Sequence, residues 1–331
     1  MQPICRAVID VGTNSVKLLV ADVAGHAIQP VCEQSKQTRL GHGFYETHRL
    51  QAEAIAATAK AVADFAAVAH EWQAASIRVF ATSAAREAVN REELTTAIEQ
   101  ASGLKVEVIS GDQEAKWGFQ GVTTNPQLAR TPLLVMDVGG GSTQFVLGRD
   151  GRALFSYSFP LGTVRLMETL LCSDPPQPAE LATCRQWLRD FLNKEVRPAI
   201  LDGRARCPQR AATAPPQHAG DSAPCLHEAQ LVGVGGSATI LGCMEAKLTT
   251  FDRERLEATH LTLERVTWHL EQLWSLPLEQ RKTIVGLPKN RADVILMGVA
   301  VYCSVMEVFD FRELRLSTRG LRFAALMHAP R

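Results

Sequence analysis

The apolar positions of this chain change period repeatedly, from runs of strand length to helical spacing and back. Apolar runs flank Gly12, and residues 4–35 read as hairpin strands with Gly25 near a turn. Residues 52–72 carry Ile55, Ala59, Val62, Phe65 and Val68 at helical spacing, which predicts one long helix. Beyond it the pattern predicts a strand at 77–81, helices at 83–89 and 92–102, a strand at 106–109 and a helix at 112–121. Thr123-Thr124-Asn125-Pro126 reads as a linker, dividing the chain into an N-terminal lobe at 1–125 and a C-terminal lobe at 126–331. The second lobe opens with strand, turn and strand over 133–148. Pro175-Pro176-Gln177-Pro178 breaks the chain before an amphipathic helix at 179–192. A strand at 231–234, helices through 238–285, an apolar helix at 292–309, a strand at 314–317 and a closing helix complete it. Strands alternating with helices predict α/β layers. Residues 202–228, with Pro208, Pro215, Pro216 and Pro224, read as a mobile surface insertion, because they hold too little apolar surface to offset ordering.

One local pattern occurs twice. Ala7-Val8-Ile9-Asp10-Val11-Gly12-Thr13-Asn14-Ser15 runs into Val16-Lys17-Leu18-Leu19-Val20. Leu134-Val135-Met136-Asp137-Val138-Gly139-Gly140-Gly141-Ser142-Thr143 runs into Gln144-Phe145-Val146-Leu147. Glycines let backbone N–H groups approach an anion with no Cβ in the way, and the hydroxyls add donors. An ionised Asp only accepts, so Asp10 and Asp137 suit a hydrated Mg²⁺ or a water rather than a phosphate oxygen. One such turn is usually a plain hairpin. Two in register read as a duplicated phosphate clamp.

Composition narrows the class. The chain has 331 residues, 46% hydrophobic and 21% charged, ordinary for a globular protein with room for two lobes. Its 35 basic and 35 acidic residues cancel, so no overall field recruits nucleic acid, and any polyanion must be held by local clusters. No basic and apolar leader is evident at the N-terminus, and the apolar stretch 294–309 is too short for a membrane span and contains Glu307. A cytoplasmic protein is expected. The eight cysteines form no Cys-x-x-Cys pair, and Cys243 and Cys303 lie in apolar runs as small core residues do. Cys207, His218, Cys225 and His227 match no common zinc spacing, so zinc is not expected.

The repeat resembles the paired phosphate loops of the actin, sugar-kinase and Hsp70 superfamily. Within it the chain is similar to the exopolyphosphatase and guanosine-pentaphosphate phosphatase family, in a short two-domain form. That similarity rests on Thr38-Arg39-Leu40-Gly41, Thr82-Ser83-Ala84-Ala85-Arg86, Ser110-Gly111-Asp112-Gln113-Glu114-Ala115, Gly233-Val234-Gly235-Gly236-Ser237 and Arg291-Ala292-Asp293-Val294, in the family's order over residues 4–327. The resemblance implies an α/β fold of two related actin-like (ribonuclease H-like) lobes with an inter-lobe phosphate-binding cleft. It implies a Mg²⁺-assisted hydrolase of the stringent response acting on inorganic polyphosphate, and on guanosine pentaphosphate with tetraphosphate as product. Nucleic acid and membrane are not expected partners, and a homodimer is a candidate assembly.

The residues outside the glycines carry the chemistry. Ser110 and Gln113 fit a capping box that places Glu114 in the first turn of a helix, where the dipole should keep it ionised. Acids are favoured there anyway; the resemblance assigns Glu114 as catalytic base. Arg86 in the first turn after Thr82 and Ser83 opposes the helix dipole, a conflict that a bound anion would relieve, against the plainer reading of a salt bridge to Glu87 or Glu92. The resemblance favours phosphate contact. Phosphate binding is assigned to Gly12, Thr13, Asn14, Ser15, Gly139, Gly140, Gly141, Ser142 and Thr143, and to Gly235, Gly236 and Ser237 ahead of a helix beginning near Ala238. Lys17 either reaches a phosphate or faces solvent. Arg291, Lys289 and Arg319 are candidates for an anionic tail. Asp137 and Asp10 are the metal candidates.

Three neutral residues depart from the family. Gln144 and Gln113 stand where Glu is common, which would weaken Mg²⁺ binding near Asp137; Thr318 stands where Asp is common. An ATP-dependent kinase on the same fold, or a guanosine tetra- or pentaphosphate sensor with weakened catalysis, are the alternatives. Retention of Glu114 favours hydrolysis.

Overall fold

Strand β1 (Ile4–Val11) is buried on both faces. Ala7, Ile9 and Val11 pack with Ile55, Val62 and Phe65 of the helix Ala52–Glu71, and Val8 packs with Phe323 on the other face. The remaining strands are β2 (Ser15–Ala24), β3 (Ala27–Gln37), β4 (Ile77–Ala81), β5 (Val106–Val108), β6 (Leu133–Val138), β7 (Thr143–Arg149), β8 (Arg152–Phe159), β9 (Gln230–Val234), β10 (His260–Thr262) and β11 (Glu313–Leu316). This computed structural model describes residues 2–170, 172–201 and 226–328. Nearly all of the insertion expected at 202–228 lies outside them, with Cys207, His218 and Cys225.

The strands form two sheets, ordered β3-β2-β1-β4-β5 and β10-β11-β9-β6-β7-β8. In the first, β1 is antiparallel to β2 and parallel to β4; in the second, β6 is antiparallel to β7 and parallel to β9. The sequence repeat is thus a repeat of topology. Even the register matches, Asp10 pairing with Lys17 and Asp137 with Gln144. The turns close alike: Gly12 N–H donates to the Ser15 carbonyl at 3.1 Å and Gly139 N–H to that of Ser142 at 3.0 Å.

Two helices cross between the halves. The helix Gly111–Val122, which follows the first sheet in sequence, buries Ala115, Phe119 and Val122 on Val135, Val146 and Val234 of the second. The closing helix Leu321–Met327 returns to the first sheet, with Phe323 among Val8, Leu19 and Phe80. Each buried Phe contributes about 1.5–3 kcal/mol by leaving water. The largest core surrounds the helix Ile295–Phe309, whose first twelve residues are all buried.

Most expected elements are present with shifted ends. The helix expected at 83–89 is Ser83–Glu87, so Arg86 sits in its last turn and not its first. The helix expected from Ala238 begins at Gly235, and the glycines form its first turn. The linker runs into a short helix Pro126–Ala129, capped by Asn125 with Pro at the first position. The helix Pro178–Phe191 continues through a π-helical turn Leu192–Val196 into Arg197–Leu201. Cys5, Cys32, Cys172, Cys184, Cys243 and Cys303 are free thiols. Among the described residues no helix is long and apolar enough to cross a membrane.

Candidate active site

Asp10 and Asp137 stand one residue before the ends of β1 and β6 on the sheet faces that the two crossing helices cover, so both carboxylates enter one cleft between the sheets. Its walls include Gly12, Thr13, Asn14, Ser15 and Lys17 from the first turn and Gly139, Gly140, Gly141, Ser142 and Gln144 from the second. Glu114, Gly236 and Arg291 complete it with Thr82 and Ser83. Gly235 lines an adjoining cavity with Gly236 and Arg291. Thr143 and Ser237 do not reach the cleft: their buried hydroxyls donate to the Leu161 and Val138 carbonyls.

The motif segments meet here as supports. Thr38 and Arg39 N–H groups donate to the Asn14 carbonyl, and Gly41 N–H to that of Thr13 at 2.7 Å. Ala84 N–H donates to Thr13 Oγ1 at 3.3 Å. The carbonyls of Gly139 and Gly140 accept from Thr163, Val164 and Arg165 at the start of the helix Thr163–Thr169. The amides of Thr13, Asn14, Gly140 and Gly141 donate to no acceptor among the described residues. The buried Asn14 side-chain NH₂ also lacks a partner. Orphaned donors on two facing turns suit an anion.

Glu114 follows a Ser110 cap that accepts from Gln113 N–H at 3.1 Å. Its side chain is only 11% exposed and takes a hydrogen bond from Arg86 at 3.0 Å; the same guanidinium donates to the Ile109 carbonyl. Burial pushes the Glu114 pKa up to about 7, with Arg86 opposing and Asp137 and Asp10 adding to the rise. The expectation that the helix dipole keeps it fully ionised is therefore corrected: desolvation outweighs a partial charge at the helix end. Arg86 does form a salt bridge, with Glu114 and not with Glu87 or Glu92; Glu87 is held by Arg165 at 2.7 Å. Arg86 lines a separate cavity beside Ser110, Ser142 and Ser158.

The profile of the Ppx/GppA phosphatase family matches residues 19–328. The chain belongs to that family. Exopolyphosphatase 2 of Mycobacterium tuberculosis (strain ATCC 25618 / H37Rv) is 34% identical over 304 residues, 89% of this chain and 88% of the relative. A putative exopolyphosphatase of Haemophilus influenzae is 27% identical over 317 residues, 96% of this chain and 88% of the relative. The crystal structure of the Aquifex aeolicus member of the Ppx/GppA family superposes with a TM-score of 0.75 at 27% identity, covering 98% of this chain and 97% of that one. A Ppx/GppA phosphatase is a hydrolase, and the α/β fold is that of the family.

Within this phosphatase, burial raises the pKa of Asp10 and of Asp137, while Lys17 and Arg322 pull both down. Burial lowers that of Lys17, with Asp10 opposing. Lys17 thus faces the cleft and not bulk solvent. Arg291 lines it too, its pKa lowered by burial against the pull of Asp293. Lys289 is exposed, and Arg319 lies 3.6 Å from Glu257, so neither is a wall of the cleft. Gln113 points away, into an outer cavity with Trp117 and His328, so it is not a lost carboxylate near Asp137. Gln144 is in the cleft, and its amide donates to Ser142 Oγ and Ser158 Oγ, both at 2.9 Å. Among the described residues no group of three or more His, Cys, Asp or Glu is arranged to hold a metal.

Sequence reasoning missed Arg165, Tyr45 and Arg322. Arg165 donates to the Gly141 carbonyl at 2.9 Å and both oxygens of Glu87, and its guanidinium lies 4.1 Å over the Tyr45 ring. No local pattern marks it. Arg322 opens a helix against its dipole, the same signal that singled out Arg86.

Proposed function

We propose that the chain hydrolyses the terminal phosphoanhydride of inorganic polyphosphate, and of guanosine pentaphosphate, which ends in the same bond. The observation that carries this reading is a buried carboxylate, Glu114, with a pKa of about 7 on the same cleft as two facing turns with orphaned amides. The two sheets, each with its own core, would be actin-like lobes spanning 1–125 and 126–331, with the substrate between them. The turn at 12–15, the turn at 139–142 and Gly235–Gly236 would embrace the terminal phosphates. Lys17 and Arg291 would balance their charge.

Glu114 would accept a proton from water as its oxygen attacks the terminal phosphorus; the P–O bond to the chain breaks, releasing orthophosphate and a chain one unit shorter. Arg86 would orient Glu114 and meet charge on the equatorial oxygens, and backbone N–H donors would add preorganised stabilisation. Asp10 and Asp137 fit a hydrated Mg²⁺, because a buried and a half-buried aspartate with raised pKa values want a cation, and Mg²⁺ is commonly held by one or two carboxylates plus substrate phosphates. When bound, the ion neutralises phosphate charge.

The test is phosphate release from polyphosphate, guanosine pentaphosphate and ATP, side by side with Mg²⁺. Release from the first two and not ATP is expected, and Glu114→Gln should lower it about 10²- to 10⁴-fold while polyphosphate still binds. Binding of the guanosine nucleotides without release by the unaltered protein would instead identify a sensor.

A further inference from the structure

Past Lys17 and Arg291 the cleft opens into a cavity of about 400 Å³. Across β1, β2 and β3, Asp10 pairs with Lys17 and Lys17 with Ser35. Two residues along, Leu19 pairs with Glu33, so Glu33 stands on the same sheet face as Lys17 and forms the cavity's β3 wall. Glu33 is not free. One carboxylate oxygen accepts from Arg253, the other from Arg322 at 3.1 Å, and the three side chains are 22%, 20% and 19% exposed. Arg322 lines the cavity; Arg253 stands 5.5 Å from the ring of Phe251, which also lines it.

A carboxylate shared by two guanidiniums makes the contacts that a phosphate group would make with the same forks. A phosphate chain anchored in the turns, with its tail in this cavity, meets two guanidiniums already occupied by an acid. We propose that Glu33 is a competing anion built into the cleft wall, one that holds Arg253 and Arg322 until a long substrate displaces it, and so limits the affinity gained with chain length. This rests on the polyphosphate reading above. A short substrate would be held by the turns, Lys17 and Arg291 without needing the pair. Glu33 belongs to the first sheet, whereas Arg253 opens the helix Arg253–Glu257 beside the second, so the exchange also releases a contact between the halves.

The experiment compares Glu33→Gln and Arg253→Gln with the unaltered protein on triphosphate and on polyphosphate of tens of units. Glu33→Gln should lower KM for the long chain about fivefold and leave kcat and the triphosphate KM within about twofold, as expected for removing one partly exposed competing charge. Arg253→Gln should raise the long-chain KM. A merely structural latch would move both variants the same way, because both substitutions break the same ion pair; that result, or an unchanged long-chain KM in Glu33→Gln, overturns the proposal. If the unaltered protein releases no phosphate, the reaction proposed above fails, and equilibrium binding of polyphosphate to the three proteins still tests Glu33. Tighter binding by Glu33→Gln would uphold its role; equal binding, or none by any of the three, would overturn it.

Discussion

Glu114 and Arg86 illustrate how far single residues could be read. Their residue types and motif positions marked them as a pair of functional candidates, but their mutual contact and the sign of the Glu114 shift depend on burial. A base works only when deprotonated, and the folded pKa of Glu114 lies near 7, above its ordinary 4.5. Turnover limited by this group should rise as pH climbs through about 7 and level off above it. Arg86 lowers that pKa by charge and hydrogen bond, so Arg86→Gln should move the acidic limb to higher pH as well as reduce turnover. A pH–rate profile whose limb stays put in that variant would show that the two do not interact in the working enzyme. Gln144 was legible as a departure near Asp137; its bond to Ser158 was not, since Ser158 comes from β8 and nothing local ties it to the turn.

At the scale of elements, the crossing of Gly111–Val122 with Leu321–Met327 decides which sheet each helix covers. The two helices approach closely at Gly121, where a Cβ would lie 2.1 Å from the Gly320 carbonyl oxygen. One turn earlier a Cβ on Gly118 would meet nothing within 4 Å. Gly121→Ala should therefore cost about 1–3 kcal/mol by forcing the helices apart. Gly118→Ala in the same helix should stabilise by up to about 1 kcal/mol through propensity. Thermal unfolding of the two variants gives Tm changes of opposite sign; a fall in both would mean the helix tolerates no added methyl.

Across the whole molecule, several side chains tie one half to the other, Glu33 with Arg253 and Arg322 among them. Arg165 links the second turn to Glu87 and Tyr45 of the first half, Arg39 pairs with Asp293 at 2.9 Å, and Glu168 accepts from the Gly43 and Tyr45 amides. Arg165→Lys keeps the charge and loses the fork, so the turns should lose their relative placement. We expect kcat/KM to fall about tenfold or more, in line with the sensitivity of positioned reactions to small displacements. A lower Tm with unchanged kcat/KM would reduce Arg165 to a structural tie.

What is local or repeated could be read from the residues in order. Apolar periods located most of the strands and helices, though not β8 or β10, and the two Asp-Val-Gly turns announced a duplicated device, because hairpin geometry and glycine chemistry are written within about ten residues. Helix ends moved where a turn's glycines or a packed neighbour, and not propensity, set the boundary, as at Gly235 and Glu87. Tertiary structure alone decided which helix covers which sheet, that Arg86 faces Glu114, and that Thr143, Ser237 and Gln113 turn away from the cleft. It alone brought Arg322 and Glu33 to the cavity wall and Arg165 against the second turn. These outcomes depend on contacts between residues far apart in the chain and on desolvation, which is a property of the packed surroundings and has no local signature in the sequence.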